Sequence, residues 1–558
     1  MKIVNRYVRL FALVVVLAFI VTACGGDDSE PAATKAPAQP PAAPTVAATP
    51  TPVPPTPTPQ PRVGGTFNTR LPTDPVNWDP HIRRSNDTLT RSQPLISNLV
   101  RFGAYNEKSI EPDIAESYQT SSDGTTWTFK IRQGVKWHDG TALTADDVVH
   151  SLLRMSKRSS FTPLLVGVFA SVDTVTAPDS STVVVKLSKP TLVFFNGLLS
   201  THAVVLPKHL GDNFDKTPIG SGPFKLGSIK PSNVTSLVKH TEYYAKGMPY
   251  LDQIDYYTIA DNAATVAAFI TGRLHWPGVA PAVVNPSNEK QVRDAIPGVT
   301  LNKAPSGTYY SLLKQTAPFT DARVRRAIRL VYDRPEFVQV ALAGDGNPYN
   351  VDILPSSSIW AMPAEEAKLL PGWRLPKDQD LAEARSLMQQ AGYSDSNKLV
   401  TRMHTLAPNF DQQAAVAATQ LRKIFIDARV EALDGATSAA RRASGDFEII
   451  FLSAAGTIDD PAGTYARFYL PGVTDNWSKF DLPDINRLYD EQDRIIDVNA
   501  RVRKVRELQL AAIELGWWTM LGETQRVSPV PPQVRQFPPG LLGVNANLFR
   551  FEQVWLAS

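Results

Sequence analysis

Cysteine is almost missing from this chain: Cys24 is the sole example among 558 residues. No intramolecular disulfide can form, and zinc sites with thiolate ligands, a redox Cys-x-x-Cys pair and a Cys–His nucleophile within a folded body are excluded by count. An excess of one charge is lacking as well. The formal charge is +3, and Lys2, Arg6 and Arg9 account for it, so the chain after residue 24 is formally neutral. A neutral body lacks the surplus of Lys and Arg that phosphate neutralisation requires, which argues against nucleic acid as a partner. Catalytic signatures are missing too: there is no Gly-x-Ser-x-Gly elbow, no Gly-x-x-x-x-Gly-Lys-Ser/Thr loop, no Gly-x-Gly-x-x-Gly after a strand and no His-Glu-x-x-His. Ser287 and Lys290 share the Ser-x-x-Lys spacing of penicillin-recognising enzymes, but amid Pro and Asn typical of a surface loop. The eight histidines, His81, His138, His150, His202, His209, His240, His275 and His404, have no ligand-like spacing. These gaps point to a protein that makes and breaks no bonds, with neither cofactor nor metal.

What is present is a globular composition, 43% hydrophobic and 20% charged, in a chain long enough for about three to four compact units. The first 24 residues form a basic start, a 14-residue uncharged run from Leu10 to Ala23, and Cys24. That is the layout of a secretion signal, and the run is shorter than the roughly 20 residues that span a bilayer as a helix. Val21-Thr22-Ala23-Cys24 resembles the bacterial lipoprotein box, which implies cleavage before Cys24 and a lipid on its sulfur. From residue 25 to 62 the chain is rich in Pro, Ala and Thr; as an extended helix this tether reaches about 100 Å.

Beyond Gly64, turn signals alternate with short strands and longer helical patterns, the mark of an α/β protein, and no internal repeat is visible. Asp123-Gly124 and Asp139-Gly140 bracket a half-buried strand in which Trp127, Phe129 and Ile131 alternate with Thr128 and Lys130. Thr144 and Asp147 have capping-box spacing ahead of a helix carrying Val148, Leu152 and Met155. Asp321 and Asp333 are expected to cap two further helices, the second with Pro335 in its first turn, and Gly392 to terminate the stripe of Leu381, Ala384, Leu387, Met388 and Ala391. A long amphipathic helix is expected from about Gln412 to Asp427, a buried strand over Asp446 to Leu452, and one or two helices over Asp484 to Leu515. Turns and short strands are expected from Pro529 to Ser558.

Several segments together resemble the family 5 extracellular solute-binding proteins, the peptide- and nickel-binding lipoproteins of bacterial ABC importers. Gly64-Gly65-Thr66-Phe67 followed by Asn77-Trp78-Asp79-Pro80-His81 is similar to the family's opening strand and Leu-Asp-Pro loop. Glu111 to Tyr118, Asp123-Gly124, Phe129 to Gly134 and Trp137-His138-Asp139-Gly140 through Val148 match its signature stretch. Gly220-Ser221-Gly222-Pro223-Phe224, Tyr243 to Leu251, and Pro318 to Ala327 follow in the family's order. The resemblance implies an α/β two-lobed clamshell of the type II periplasmic-binding-protein kind: lobe I from residues 63–304 plus 523–558 with an extra subdomain at about 105–217, and lobe II from 305–522. It further implies a monomeric, extracytoplasmic lipoprotein, anchored through Cys24, that captures a peptide or other small solute between hinged lobes and delivers it to ABC permease subunits. An oligosaccharide-binding member, or a surface sensor or chaperone, is the alternative.

The family's peptide-binding members carry an aspartate four residues before a proline, where it pairs with the ligand's ammonium group; here Thr457 holds that place in Gly456-Thr457-Ile458-Asp459-Asp460-Pro461. A hydroxyl cannot neutralise a buried ammonium, so Asp459 or Asp460 either substitutes or merely turns the chain. Arg273 and His275 stand where relatives usually carry acids, and Trp276 beside them either stacks on ligand or belongs to the core. Trp78, Tyr309 and Tyr310 near the hinge, Asn409, and Trp477 complete the candidate ligand contacts.

Overall fold

The strand Thr126–Ile131 shows how the alternating pattern becomes structure: Trp127, Phe129 and Ile131 are buried while Lys130 is exposed. Asp123 braces the turn before it, accepting from the Thr125 backbone N–H at 3.0 Å. The Thr144 N–H donates to Asp147 Oδ2 at 2.9 Å, the acidic half of a capping box, and the helix Ala145–Ser156 follows. The strand lies in a four-stranded antiparallel sheet ordered Ala115–Thr120, Thr126–Ile131, Thr182–Leu187, Val172–Asp179.

A second four-stranded sheet begins with Thr66–Leu71, parallel to Gln253–Thr258, and continues through Val234–Lys239 to Phe224–Lys230. The third sheet has six strands in the order Gly346–Asn347, Trp518–Val530, Thr300–Leu313, Ile449–Ala454, Leu399–Leu406, Ile426–Leu433. Ile449 to Leu452 form an unbroken buried run because this strand has neighbours on both edges and packed elements on both faces. This computed structural model describes residues 60–74, 77–82, 86–103, 109–156, 167–278, 283–456, 458–473, 475–538 and 550–557. The expected signal segment with Cys24, the tether up to residue 59, and Thr457 lie outside the described residues. Pro61–Ser558 is one compact unit.

The molecule is mixed α/β and two-lobed, and its apolar clusters separate accordingly. One gathers Tyr309, Phe337, Ile450, Phe451 and Trp518; another gathers Phe67, Trp78, Tyr256, Trp276 and Phe551; a third gathers Trp127, Phe129, Val148 and Phe194. Thr300–Leu313 and Trp518–Val530 run antiparallel from Thr300↔Val530 to Leu312↔Trp518 and join the first two clusters. Ala304 packs on the cluster around Phe67, and Leu312 lies in the cluster around Phe451.

The signature motifs are packing devices. A Cβ on Gly220 would stand 1.7 Å from the Leu95 carbonyl oxygen and one on Gly222 2.4 Å from that of Pro94, so both positions require glycine. Asp113 accepts from Arg550 at 2.6 Å and from the Asn98 N–H at 2.8 Å, tying the Glu111–Tyr118 stretch to the C-terminal segment. Trp276 is core: it is fully buried and its indole N–H donates to Ser528 Oγ at 2.9 Å.

Asp321 and Asp333 cap helices as expected, and the segment 484–515 divides into the helices Pro483–Asp493 and Val498–Leu515. The helix expected to reach Asp427 is shorter. It spans Asp411–Arg422, the chain reverses through Phe425 at φ 67°, and Ile426–Leu433 enters the sheet parallel to Leu399–Leu406. Leu421, Ile424 and Ile426 are all buried; the first two keep a helical i, i+3 spacing past Arg422 and the last two alternate as in a strand, so apolar spacing alone could not mark the change from helix to strand.

Candidate functional site

Tyr309 and Tyr310 are consecutive on the crossing strand and face opposite ways. Tyr309 stacks on Phe451 with ring centroids 5.7 Å apart and meets Phe410 edge-on at 5.5 Å. Tyr310 packs against Trp518 at 4.5 Å and lines a cavity of about 290 Å³ at the end of the strand Ile449–Ala454. Leu452 to Ala455 supply one wall of this cavity, and Arg442, Arg467, Phe468, Asp475 and Trp477 supply the rest.

The cavity is built from charged and aromatic groups in contact. Arg467 Nε donates to Asp475 Oδ2 at 2.7 Å and Nη1 to the Ala455 carbonyl at 3.2 Å. The Arg442 guanidinium lies 4.6 Å from the centre of the Trp477 ring, which itself meets Phe468 edge-on. Arg442 reaches this place because it sits in the last turn of the helix Gly435–Ser444, which Asp434 caps and Gly445 ends in a left-handed conformation. Beneath that helix, His404 Nε2 is 2.9 Å from Ser438 Oγ. Burial, and then the charge of Arg442, pulls the His404 imidazole down to about 4, so it is neutral at pH 7. Burial likewise raises the Tyr310 phenol well above its ordinary value, and it remains a hydroxyl.

The sequence profile of the bacterial extracellular solute-binding proteins, family 5 (middle region), matches residues 109–476. The chain belongs to this family. It is 28% identical over 386 residues to the glutathione-binding protein GsiB of Escherichia coli K12, covering 68% of this chain and 70% of GsiB. Among solved structures it superposes on AgaA from A. tumefaciens R10, in complex with agropinic acid, with a TM-score of 0.72 and 25% identity over 88% of this chain and 99% of AgaA. The fold is also that of DppA from Helicobacter pylori in complex with the peptide STSA: TM-score 0.73, 22% identity, 89% of this chain and 99% of that one. Among the described residues no helix is long and apolar enough to cross a membrane, and no group of three or more His, Cys, Asp or Glu side chains could hold a metal ion.

Of the residues singled out from sequence, Tyr310 and Trp477 come together at the cavity. Tyr309 is buried on the other face of its strand, and Asn409 is exposed in the turn before Asp411–Arg422. Trp78 lies in the cluster around Phe67, with the Arg91 guanidinium 3.5 Å above its ring. Asp460 is fully buried and accepts from Arg501 Nη1 at 2.7 Å, Arg501 Nη2 at 2.9 Å, the Ala462 N–H at 2.9 Å and Asn196 Nδ2 at 2.7 Å. Asn196 comes from the helix Val193–Leu198. Near it, Thr191 Oγ1 donates to Asp493 at 2.6 Å and Lys189 pairs with Asp493 at 2.7 Å. These bonds join the 189–196 segment to Asp460 and to the helix Pro483–Asp493.

Asp459 differs from its neighbour. Its Oδ1 is buried without a hydrogen-bond partner, and burial, reinforced by the Asp460 charge, pushes the carboxyl up to about 6. Arg442, Arg467 and Asp475 were not singled out from sequence. Arg441-Arg442 in a run of Ala and Ser reads as a solvated helix end, and nothing in spacing announces a convergence across 33 residues.

Proposed function

We propose that this protein captures a small peptide-like solute between its two lobes and delivers it to an ABC permease for import. The observation that carries the reading is the charged and aromatic cavity beside the ribbon that joins the two apolar cores. A ligand seated there buries surface on both sides only when the lobes approach, so binding energy favours the closed form, which a permease can recognise. Lobe I comprises residues 63–304 and 523–558, lobe II residues 305–522, and Tyr310 and Trp477 are the first ligand contacts. Support for a peptide-like solute comes from GsiB, a glutathione-binding protein, and from DppA, solved with the peptide STSA.

In this reading Cys24 carries the lipid and the Pro-rich segment spaces the body from the membrane. Two measurements test the proposal. Ligand extracted from the purified native protein is identified by mass spectrometry, and thermal unfolding is scanned against di- to hexapeptides, glutathione and oligosaccharides. A true ligand at 100 times its dissociation constant stabilises by about 2.7 kcal/mol. Stabilisation by oligosaccharides alone rejects the peptide class. Cys24→Ser is expected to move the protein from the membrane to the soluble fraction.

A further inference from the structure

We propose that the segment from Lys189 to Asn196 is a releasable latch that holds the two lobes together away from the crossing ribbon. The inference rests on the lobe division proposed above, which puts this segment in lobe I and its partners, Asp460, Asp490 and Asp493, in lobe II. Three side chains of the segment reach across. Asn196 Nδ2 donates to Asp460 Oδ2 at 2.7 Å, Thr191 Oγ1 donates to Asp493 Oδ1 at 2.6 Å, and Lys189 Nζ stands 2.7 Å from Asp493 Oδ2 and 3.4 Å from Asp490 Oδ1. Thr191 is fixed from both sides, because its hydroxyl also accepts from the Val193 N–H at 3.0 Å at the start of the helix Val193–Leu198.

The apolar packing crosses in both directions. Val193 is buried in the cluster around Phe451, whereas its neighbours Phe194 and Phe195 are buried in the cluster around Trp127. Ile496, just beyond the helix Pro483–Asp493, packs the opposite way, on the cluster around Trp127, and a Cβ on Gly124 would stand 3.1 Å from its Cδ1. Release strands no charge in the interior. Asp460 keeps both Nη groups of Arg501 and the Ala462 N–H when Asn196 withdraws. Asp493 lies at the end of its helix and has no other hydrogen-bond partner among the described residues, so it passes into water together with Lys189. Lys189 and Asp490 are already partly exposed, and ion pairs of that kind form and break at little cost. A contact of this sort biases the protein toward the closed arrangement without fixing it there, and the apparent affinity for solute rises with the closed fraction.

The test needs no ligand. Cys24 is the sole cysteine, so Gln119→Cys and Arg503→Cys in the full-length Cys24→Ser chain place one spin label at an exposed position on each side of the contact. Pulsed dipolar spectroscopy then reads the distance between them. The parent is expected to hold mainly a shorter distance. Lys189→Glu sets a third carboxylate beside Asp490 and Asp493 and is expected to raise the share of a longer distance roughly fivefold. Asn196→Ala should raise it less, and the charge swap of Lys189→Glu with Asp493→Lys should restore part of the shorter population. Circular dichroism and the thermal midpoint check that each variant is folded. A single distance that is the same in the parent, Lys189→Glu and Asn196→Ala overturns the latch. So does a parent that already holds mainly the longer distance, or an opening by Lys189→Glu that the charge swap leaves in full. None of these outcomes bears on whether peptides stabilise the protein in the thermal scan, so the solute reading stands or falls separately.

Discussion

Replacing Asp460 by alanine removes the only carboxylate paired with Arg501 among the described residues, in a site where both side chains are 0% exposed. Arg501 keeps Gln492 on Nε at 2.9 Å and Trp360 under its plane at 4.7 Å, but both Nη groups lose their acceptors. Asn196 Nδ2 and the Ala462 N–H lose theirs as well. Breaking a buried ion pair from one side leaves an uncompensated charge and costs about 3–5 kcal/mol. Urea unfolding followed by tryptophan fluorescence should show that loss at pH 7. The comparison is Glu431→Ala, which breaks a half-exposed pair with Arg441 at 2.7 Å and should cost about 0–1 kcal/mol. Asp460→Ala combined with Arg501→Met should recover part of the loss, because the orphaned charge goes with it. Asn196→Ala removes one of four donors and should cost roughly 1 kcal/mol. If Asp460→Ala proves no more costly than Glu431→Ala, Asp460 is not a buried anchor, and a ligand-facing role for it reopens.

Asp459 should behave in the opposite sense. Its folded-state carboxyl is raised to about 6, so the folded state holds a proton that the unfolded state releases, and stability falls as pH rises from about 4 through 6. Asp459→Asn should therefore stabilise at pH 8, by on the order of 2–3 kcal/mol, and change little at pH 4, as measured by urea midpoints. His404 is lowered to about 4; the unfolded chain binds its proton first as pH falls below 6.5, so stability drops between pH 6.5 and 4, and His404→Gln should flatten that part of the profile. Gly220→Ala places a Cβ 1.7 Å from a backbone carbonyl oxygen, and the loss should exceed roughly 3 kcal/mol or leave the protein insoluble on expression. Arg526, half-buried on the crossing ribbon with no acidic partner among the described residues, has its guanidinium lowered by burial alone. Arg526→Leu should raise the unfolding midpoint, by roughly 1 kcal/mol.

Local pattern carried a large share of the fold. The alternation of Trp127, Phe129 and Ile131, the caps at Asp321 and Asp333, and the glycines at 220 and 222 each express a constraint set within a few residues. The end of the helix at Arg422 was not legible, because Leu421 and Ile424 keep a helical spacing across it while Ile424 and Ile426 alternate as in a strand. Asp459 and Asp460 are the sharper case. They are adjacent and chemically identical, yet one is bound bidentately by Arg501 and the other has an unpartnered buried oxygen. Their difference depends on an arginine 41 residues away.

By itself the sequence determined many of the local elements and confined thiol chemistry to Cys24, because propensities, caps and counts act over a few residues or over composition. Tertiary structure alone decided where charge is neutralised. Arg467 meets Asp475 while Arg442 meets an indole ring and the Ser438 carbonyl, and Tyr309 is packed away while Tyr310 borders the cavity. Coulombic pairing and burial depend on distances of a few ångströms between residues far apart in the chain, and only the packed lobes set those distances.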